Sequence, residues 1–175
     1  MTMMLQVFRV TVAVALSFAL HITTLTDDTC SATMRSKCPP NWKHRENFCY
    51  KIAPERLSFF GAHDSCIKLG GSLAAPESRE EIDFIYGLMS DDEVNEVWVN
   101  CDKFSGSWEC EGEGKTRAPI PRALWDTSGQ PSNGPNEHCV LMSDRWGSGN
   151  GLHDVVCTQF VLPAICKKQK ARLHV

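Results

Sequence analysis

Sulfur is the most reactive chemistry in this chain, with nine cysteines among 175 residues. Eight of them, Cys38, Cys49, Cys66, Cys101, Cys110, Cys139, Cys157 and Cys166, lie between positions 38 and 166. They lack the CxxC or CxxH clustering of zinc sites, so bridging is expected over metal loading, and bridging requires an oxidising compartment. Spacing alone leaves the connectivity open, because eight cysteines admit roughly a hundred pairings. The ninth, Cys30, lies in a polar leader, and an odd cysteine in an exported chain points to an intermolecular bond. A disulfide-linked homodimer through Cys30 is therefore expected. A second set of reactive groups is Glu137-His138 and His153-Asp154, carboxylates and imidazoles that could form a zinc site. Catalysis has little support. Paired cysteines are not nucleophiles, and the chain has neither a Gly-x-Ser-x-Gly elbow nor a His-Glu-x-x-His helix. No enzyme is expected.

These groups must be positioned by a modest domain. Met1 to Arg9 leads into the apolar run Val10–Leu20, shorter than the roughly 20 residues of a membrane span and suited to a signal peptide. The expected organisation is a signal peptide over 1–19 (cleavage between 19 and 26), a flexible leader over 20–37, a domain over 38–167 and a basic tail over 168–175. The basic cluster Lys167-Lys-Gln-Lys170 with Arg172, where the domain runs into the tail, reads as a solvated end. The formal charge of −3 and the lack of a basic stripe argue against nucleic acid or an anionic membrane as partners. The protein is expected to be secreted and extracellular, with no membrane span.

Within the domain, Cys38 to Tyr50 reads as a short hairpin. Ser58 opens a helix with Phe59, Ala62, Cys66 and Leu69 on one face, stopped by Gly70-Gly71. Ser78-Arg-Glu-Glu81 has the form of a capping box for a second helix, which places Ile82, Ile85, Leu88 and Met89 at helical spacing. Strands are expected at Val97–Val99, Cys139–Met142, Asp154–Cys157 and Phe160–Cys166, with a loop between Cys101 and Cys110. Glu111–Asn136 is rich in Gly, Pro and Ser and reads as a long loop without secondary structure, usually a functional segment. Helices followed by strands argue an α+β domain. His44, His63 and His174 stand alone in sequence and read as surface residues. Trp146, in the polar run Asp144–Gly151, could stack on a sugar ring or pack on the domain as Trp42, Trp98 and Trp125 would.

The segment from Cys38 to Cys166 resembles a C-type lectin-like domain in its long form. The residues that carry the resemblance are Cys38-Pro-Pro-Asn-Trp42, Phe48-Cys-Tyr50, Cys66, Leu73-Ala-Ala-Pro-Glu-Ser78, Trp98-Val99, Glu137-His-Cys139, His153-Asp154, Cys157 and Pro163-Ala-Ile-Cys166. The resemblance implies a disulfide-stabilised fold of two helices, antiparallel strands and a long loop region. It also implies the pairings Cys38–Cys49, Cys66–Cys166 and Cys139–Cys157, which leave Cys101–Cys110 as an additional bridge if Cys30 is set aside.

Sugar-binding members hold one Ca2+ by a Glu-Pro-Asn or Gln-Pro-Asp tripeptide, a Glu before the next cysteine and a Trp-Asn-Asp tripeptide, and the sugar completes the shell with two hydroxyls. The resemblance carries these roles onto Gln130, Ser132, Glu137, His153 and Asp154, with Pro131 cis. The chain departs from the pattern at Ser132, a short neutral donor, and at His153, whose nitrogen suits zinc or copper better than calcium. Two carboxylates stand where three are usual, which implies weak calcium binding. Asn133–Asn136 lacks the aromatic residue that galactose-preferring members often carry there. The resemblance implies calcium-dependent binding of galactose- or mannose-type carbohydrate, such as sugars on microbial surfaces, with Trp146 beside the site. The alternative is a protein or mineral ligand bound without calcium.

Overall fold

A computed structural model describes residues 37–146 and 150–171. The expected signal peptide, Cys30 and its leader, His174 and the last residues of the tail lie outside the described residues. The first strands are β1 (Lys43–Arg45) and β2 (Phe48–Leu57), which form the expected hairpin, clipped by Cys38–Cys49. Helix α1 (Phe59–Lys68) starts where the Ser58 hydroxyl accepts the Gly61 N–H at 3.3 Å. It ends in a Schellman motif, with Gly70 N–H donating to Ile67 O at 2.9 Å and Gly71 N–H to Cys66 O at 3.0 Å. Gly70 takes the left-handed φ of +73° that this ending requires.

After β3 (Ser72–Leu73), helix α2 (Arg79–Asp91) begins as read, with the Ser78 hydroxyl accepting the Glu81 N–H at 3.2 Å. The reciprocal half of the capping box differs. Glu81 Oε2 accepts from Glu77 N at 3.1 Å, and Oε1 takes Tyr50 Oη at 2.7 Å and Lys167 Nζ at 3.0 Å. The two tertiary partners draw the carboxylate away from its own cap. Both Glu81 and Lys167 are buried, and the ammonium also lies 4.3 Å from the Phe48 ring centroid. The expected solvated basic end is corrected here: Lys167 is part of the core. Lys168 covers Trp42, and the last strand runs on through Gln169.

The remaining strands are β4 (Glu96–Phe104), β5 (Ser107–Glu111), β6 (Arg117–Pro119), β7 (Glu137–Ser143), β8 (Leu152–Val156) and β9 (Leu162–Gln169). One path through the sheet runs β1-β2-β9-β4-β5-β6, with β3 also on β9 and β7 joining β4 to β8. Strand β4 is buried on both faces. Val97 and Val99 pack with the α2 residues Ile82, Ile85, Leu88 and Met89, while Trp98, pointing the other way, packs with Phe59, Ala62 and Cys66 of α1. Each fully buried Val, Leu, Ile, Phe or Met side chain among these contributes about 1.5–3 kcal/mol. All four bridges form: Cys38–Cys49, Cys66–Cys166, Cys101–Cys110 and Cys139–Cys157. Cys66–Cys166 ties α1 to β9.

Two expectations about the middle of the chain need correction. Cys101 and Cys110 do not flank a loose loop; they are register partners in the β4–β5 hairpin, turned at Ser105-Gly106 with both φ positive. Glu111–Asn136 is also not structureless. It contains β6, paired Cys110↔Ala118, and short 3-10 turns at Glu113–Lys115 and Arg122–Leu124. The polar pattern hid this strand because its anchor is charge. The Arg117 guanidinium bonds Glu109 and Glu111 at 3.1 Å each and also contacts Asp102.

Candidate functional site

The long segment delivers Gln130, cis-linked to Pro131, against β8. Its approach is fixed from below. Trp125 bridges to Leu152, Asp126 N–H donates to Leu152 O at 3.1 Å, and Gln130 N–H donates to Asp126 O at 3.3 Å. Asp126 Oδ1 accepts the Ser128 N–H at 2.7 Å, a side-chain turn of the kind aspartate favours. Arg122 reaches across to the Gln130 carbonyl.

Four expected site residues converge here. Asp154, buried on β8, accepts Ser132 N–H on Oδ1 and Asn133 N–H on Oδ2, each at 2.7 Å. Glu137, at the start of β7, accepts both the Ser132 hydroxyl and the Gly134 N–H on Oε2 at 2.6 Å. Gln130 Oε1 lies 3.2 Å from Ser132 N and 3.4 Å from Asp154 N. Ser132 thus touches both carboxylates. A Cβ at Gly134 would lie 2.6 Å from Glu137 Oε2, so a side chain there would push the carboxylate out of its present place.

His153 is not one of this group. Neighbouring residues on a strand face opposite ways, so the turn that presents Asp154 to the loop sends His153 into the core. It is 1% exposed, with Nε2 3.8 Å from Asp126 Oδ2, and among the described residues neither ring nitrogen has a hydrogen-bond partner. Burial lowers its pKa, opposed by the neighbouring charges of Asp126 and Asp154. The expectation that His153 ligates a metal is therefore corrected. The zinc alternative thereby loses His153, and among the described residues no three His, Cys, Asp or Glu side chains gather as a metal-holding group.

Trp146 follows His153 rather than the carboxylates. Its ring meets His153 edge-on at 6.0 Å and tilts against Phe160 at 5.4 Å, and the residue is 36% exposed. The loop that carries it is anchored at its stems by the buried Tyr86 hydroxyl, 3.0 Å from both Ser143 O and Gly151 O. Burial, opposed by those same backbone contacts, pushes this phenol's pKa up to about 12. His63, read as a surface residue, is half-buried against Phe59, and desolvation lowers its pKa. His44 is exposed as expected.

The sequence reading missed Asn133 and Trp108. Asn133 adopts φ +57°, donates Nδ2–H to Pro131 O at 3.1 Å and accepts Trp108 Nε1–H on Oδ1 at 2.9 Å. An asparagine following the tripeptide, in a turn that favours left-handed backbone, was the available signal. The contact with Trp108, 25 residues away, had none.

The group fits a hard cation in kind. All four convergent side chains offer oxygen, as calcium requires, and none offers nitrogen or sulfur. A carboxylate has about four lone-pair positions, and the internal bonds use two on each of Asp154 and Glu137. Acceptor capacity therefore remains on both. With two carboxylates the charge is low for the ion.

Comparison with known proteins agrees with this architecture. The chain is 26% identical over 145 residues to mouse C-type lectin domain family 4 member A, covering 79% of this chain and 56% of that protein. It is 27% identical over 139 residues to human C-type mannose receptor 2, covering 78% of this chain and 9% of that protein. The chain thus spans about half of the first relative and a small part of the second. Among solved structures, a Ca2+-dependent type II antifreeze protein in its Ca2+-free form matches with a TM-score of 0.62 at 28% identity, covering 75% of this chain and all (100%) of that one. The C-type lectin domain of murine dendritic cell inhibitory receptor 2, solved with an N-glycan, shares the fold with a TM-score of 0.64 at 23% identity, covering 77% and 100%. The family pattern of the lectin C-type domain matches residues 55–168, well over half of the sequence. The chain belongs to the C-type lectin domain family.

Proposed function

We propose that this domain is a secreted carbohydrate-binding module that recognises galactose- or mannose-type sugars through calcium, and that it binds rather than catalyses. The observation that carries the reading is the convergence of Gln130, Ser132, Glu137 and Asp154, all oxygen donors, at one loop edge. Those four residues would hold the ion. Bound calcium supplies a hard centre whose open positions accept vicinal hydroxyls. Gln130 at the head of the tripeptide supports the galactose-type alternative. The low charge supports weak binding, at or beyond the 10⁻⁴–10⁻³ M range roughly typical of extracellular modules. Four disulfides and the apolar amino-terminal run support secretion. The test is calorimetric titration with Ca2+, with and without galactose and mannose, beside retention on the two sugar resins. Elution by chelator is expected; no calcium heat and no retention would remove the reading.

A second reading has one observation in its favour. The carboxylates already hold the loop through backbone N–H groups and the Ser132 hydroxyl. A loop so held can present a fixed surface to a protein or mineral ligand without an ion. Ligand capture indifferent to chelator would select this alternative.

A further inference from the structure

We propose that Trp108 is a positioning residue for the candidate site: its indole N–H, acting through Asn133, sets where the loop amides hold Asp154. This rests on the proposed site being the functional one, and it adds a residue that touches neither ion nor sugar. The chain of contacts is short. Trp108 Nε1–H donates to Asn133 Oδ1 at 2.9 Å, and the backbone N–H of the same Asn133 donates to Asp154 Oδ2 at 2.7 Å. The amide end of Asn133 is bound on both sides, since Nδ2–H donates to Pro131 O at 3.1 Å. One side chain therefore ties the cis-proline segment to a fixed point on another strand.

The fixed point is rigid for identifiable reasons. The Trp108 ring meets the buried Trp125 edge-on at 5.4 Å, and Lys103 Nζ lies 5.2 Å from its centroid. Its carbonyl accepts Ile120 N–H at 3.0 Å. Two residues further on, Cys110 is bonded to Cys101, its register partner on β4. Trp125 in turn bridges to Leu152, two residues before Asp154. Trp108 thus stands between both arms of the site, bonded to the loop and packed on the residue that abuts β8. By contrast, Ser132 and Asn133 are exposed, and Asn133 holds a left-handed φ of +57° that an unrestrained loop would leave readily.

The test uses Trp108→Phe, which keeps an aromatic ring against Trp125 and removes the N–H. Amide hydrogen exchange is measured in chelator, so the result does not depend on calcium binding. Exchange at Ser132, Asn133 and Gly134 is expected to accelerate about tenfold, equivalent to 1.4 kcal/mol, while α2 amides from Ile82 to Met89 keep their wild-type rates. Unchanged loop exchange, or equal acceleration in α2, would overturn the proposal. Asn133→Gly, which tolerates the positive φ, removes the same bond from the other side. The double variant is expected to exchange no faster than the faster single one, and additive effects would overturn the proposal. A calcium titration separates the two readings. Absence of calcium heat in the wild type refutes the calcium site and leaves the exchange result to decide the role of Trp108. Calcium binding that Trp108→Phe leaves at wild-type affinity overturns the positioning role.

Discussion

Replacing Asp154 by Asn should weaken the domain even when no calcium is present, and by more than the matching change at Glu137. Asp154 uses both oxygens, one for Ser132 N–H and one for Asn133 N–H, each at 2.7 Å. Hydrogen bonds to a charged group contribute about 1.5–3 kcal/mol each, and a neutral one about 1. Asparagine keeps one acceptor and turns an NH2 toward the other amide, so one bond becomes neutral and one loop N–H loses its carboxylate partner. The net expectation is a loss of about 2–4 kcal/mol. Glu137 differs because both of its donors meet the same atom, Oε2. Glu137→Gln can leave its carbonyl oxygen in that place and turn the nitrogen away, so both bonds survive as neutral ones and, at this half-buried residue, the loss should lie near the low end of about 1–4 kcal/mol. Urea unfolding in chelator, with disulfides intact, measures both variants as shifts in midpoint at constant slope. Both substitutions remove one negative charge from the site, so calcium titration would not separate them, whereas the metal-free difference does. Equal metal-free stabilities, or an Asp154→Asn variant as stable as wild type, would refute the reasoning that Asp154 latches the loop.

Lys167→Met should destabilise the domain by about 3–5 kcal/mol, because it strands a Glu81 carboxylate that is 3% exposed; adding Glu81→Gln should recover part of the loss in the same urea assay. Burial lowers the pKa of both His63 and His153 below the ordinary 6.5. The unfolded chain therefore binds more protons below that pH. The stability that comes from keeping each imidazole neutral is complete above about pH 6.5 and is lost as pH falls toward the folded values, by at most about 1.4 kcal/mol per pH unit per histidine. Unfolding midpoints from pH 7.5 to 5 check this, and His153→Leu should flatten the slope. Cys30 is expected to link two chains. Non-reducing electrophoresis of Cys30→Ser beside the wild type tests it, since identical monomer bands would refute the dimer. A dimer would raise apparent affinity for multivalent sugars without any new contact.

The features legible from the residues alone are local or covalent. Ser58 and Ser78 start the helices and Gly70-Gly71 ends the first, because capping involves only atoms within a turn. The order of the cysteines, read through the family resemblance, carried the four pairings, and the tripeptide with Glu137 and Asp154 was legible as a group of oxygen donors. Tertiary structure decided the rest. His153 and Asp154 are adjacent in sequence, yet strand alternation sends one to the core and the other to the loop, and only the pairing of β8 with β7 settles which goes where. Lys167 read as the start of a solvated tail until Glu81, 86 residues away, is brought to 3.0 Å. Strand β6 left no apolar signal because Arg117 and three carboxylates from β4 and β5 anchor it. Trp108 and Asn133 meet only because the β4–β5 hairpin and the long segment fold to the same edge. Periodicity reports what a residue does to its own helix or strand; partners distant in sequence are set by packing, and here packing decides which donors the site keeps.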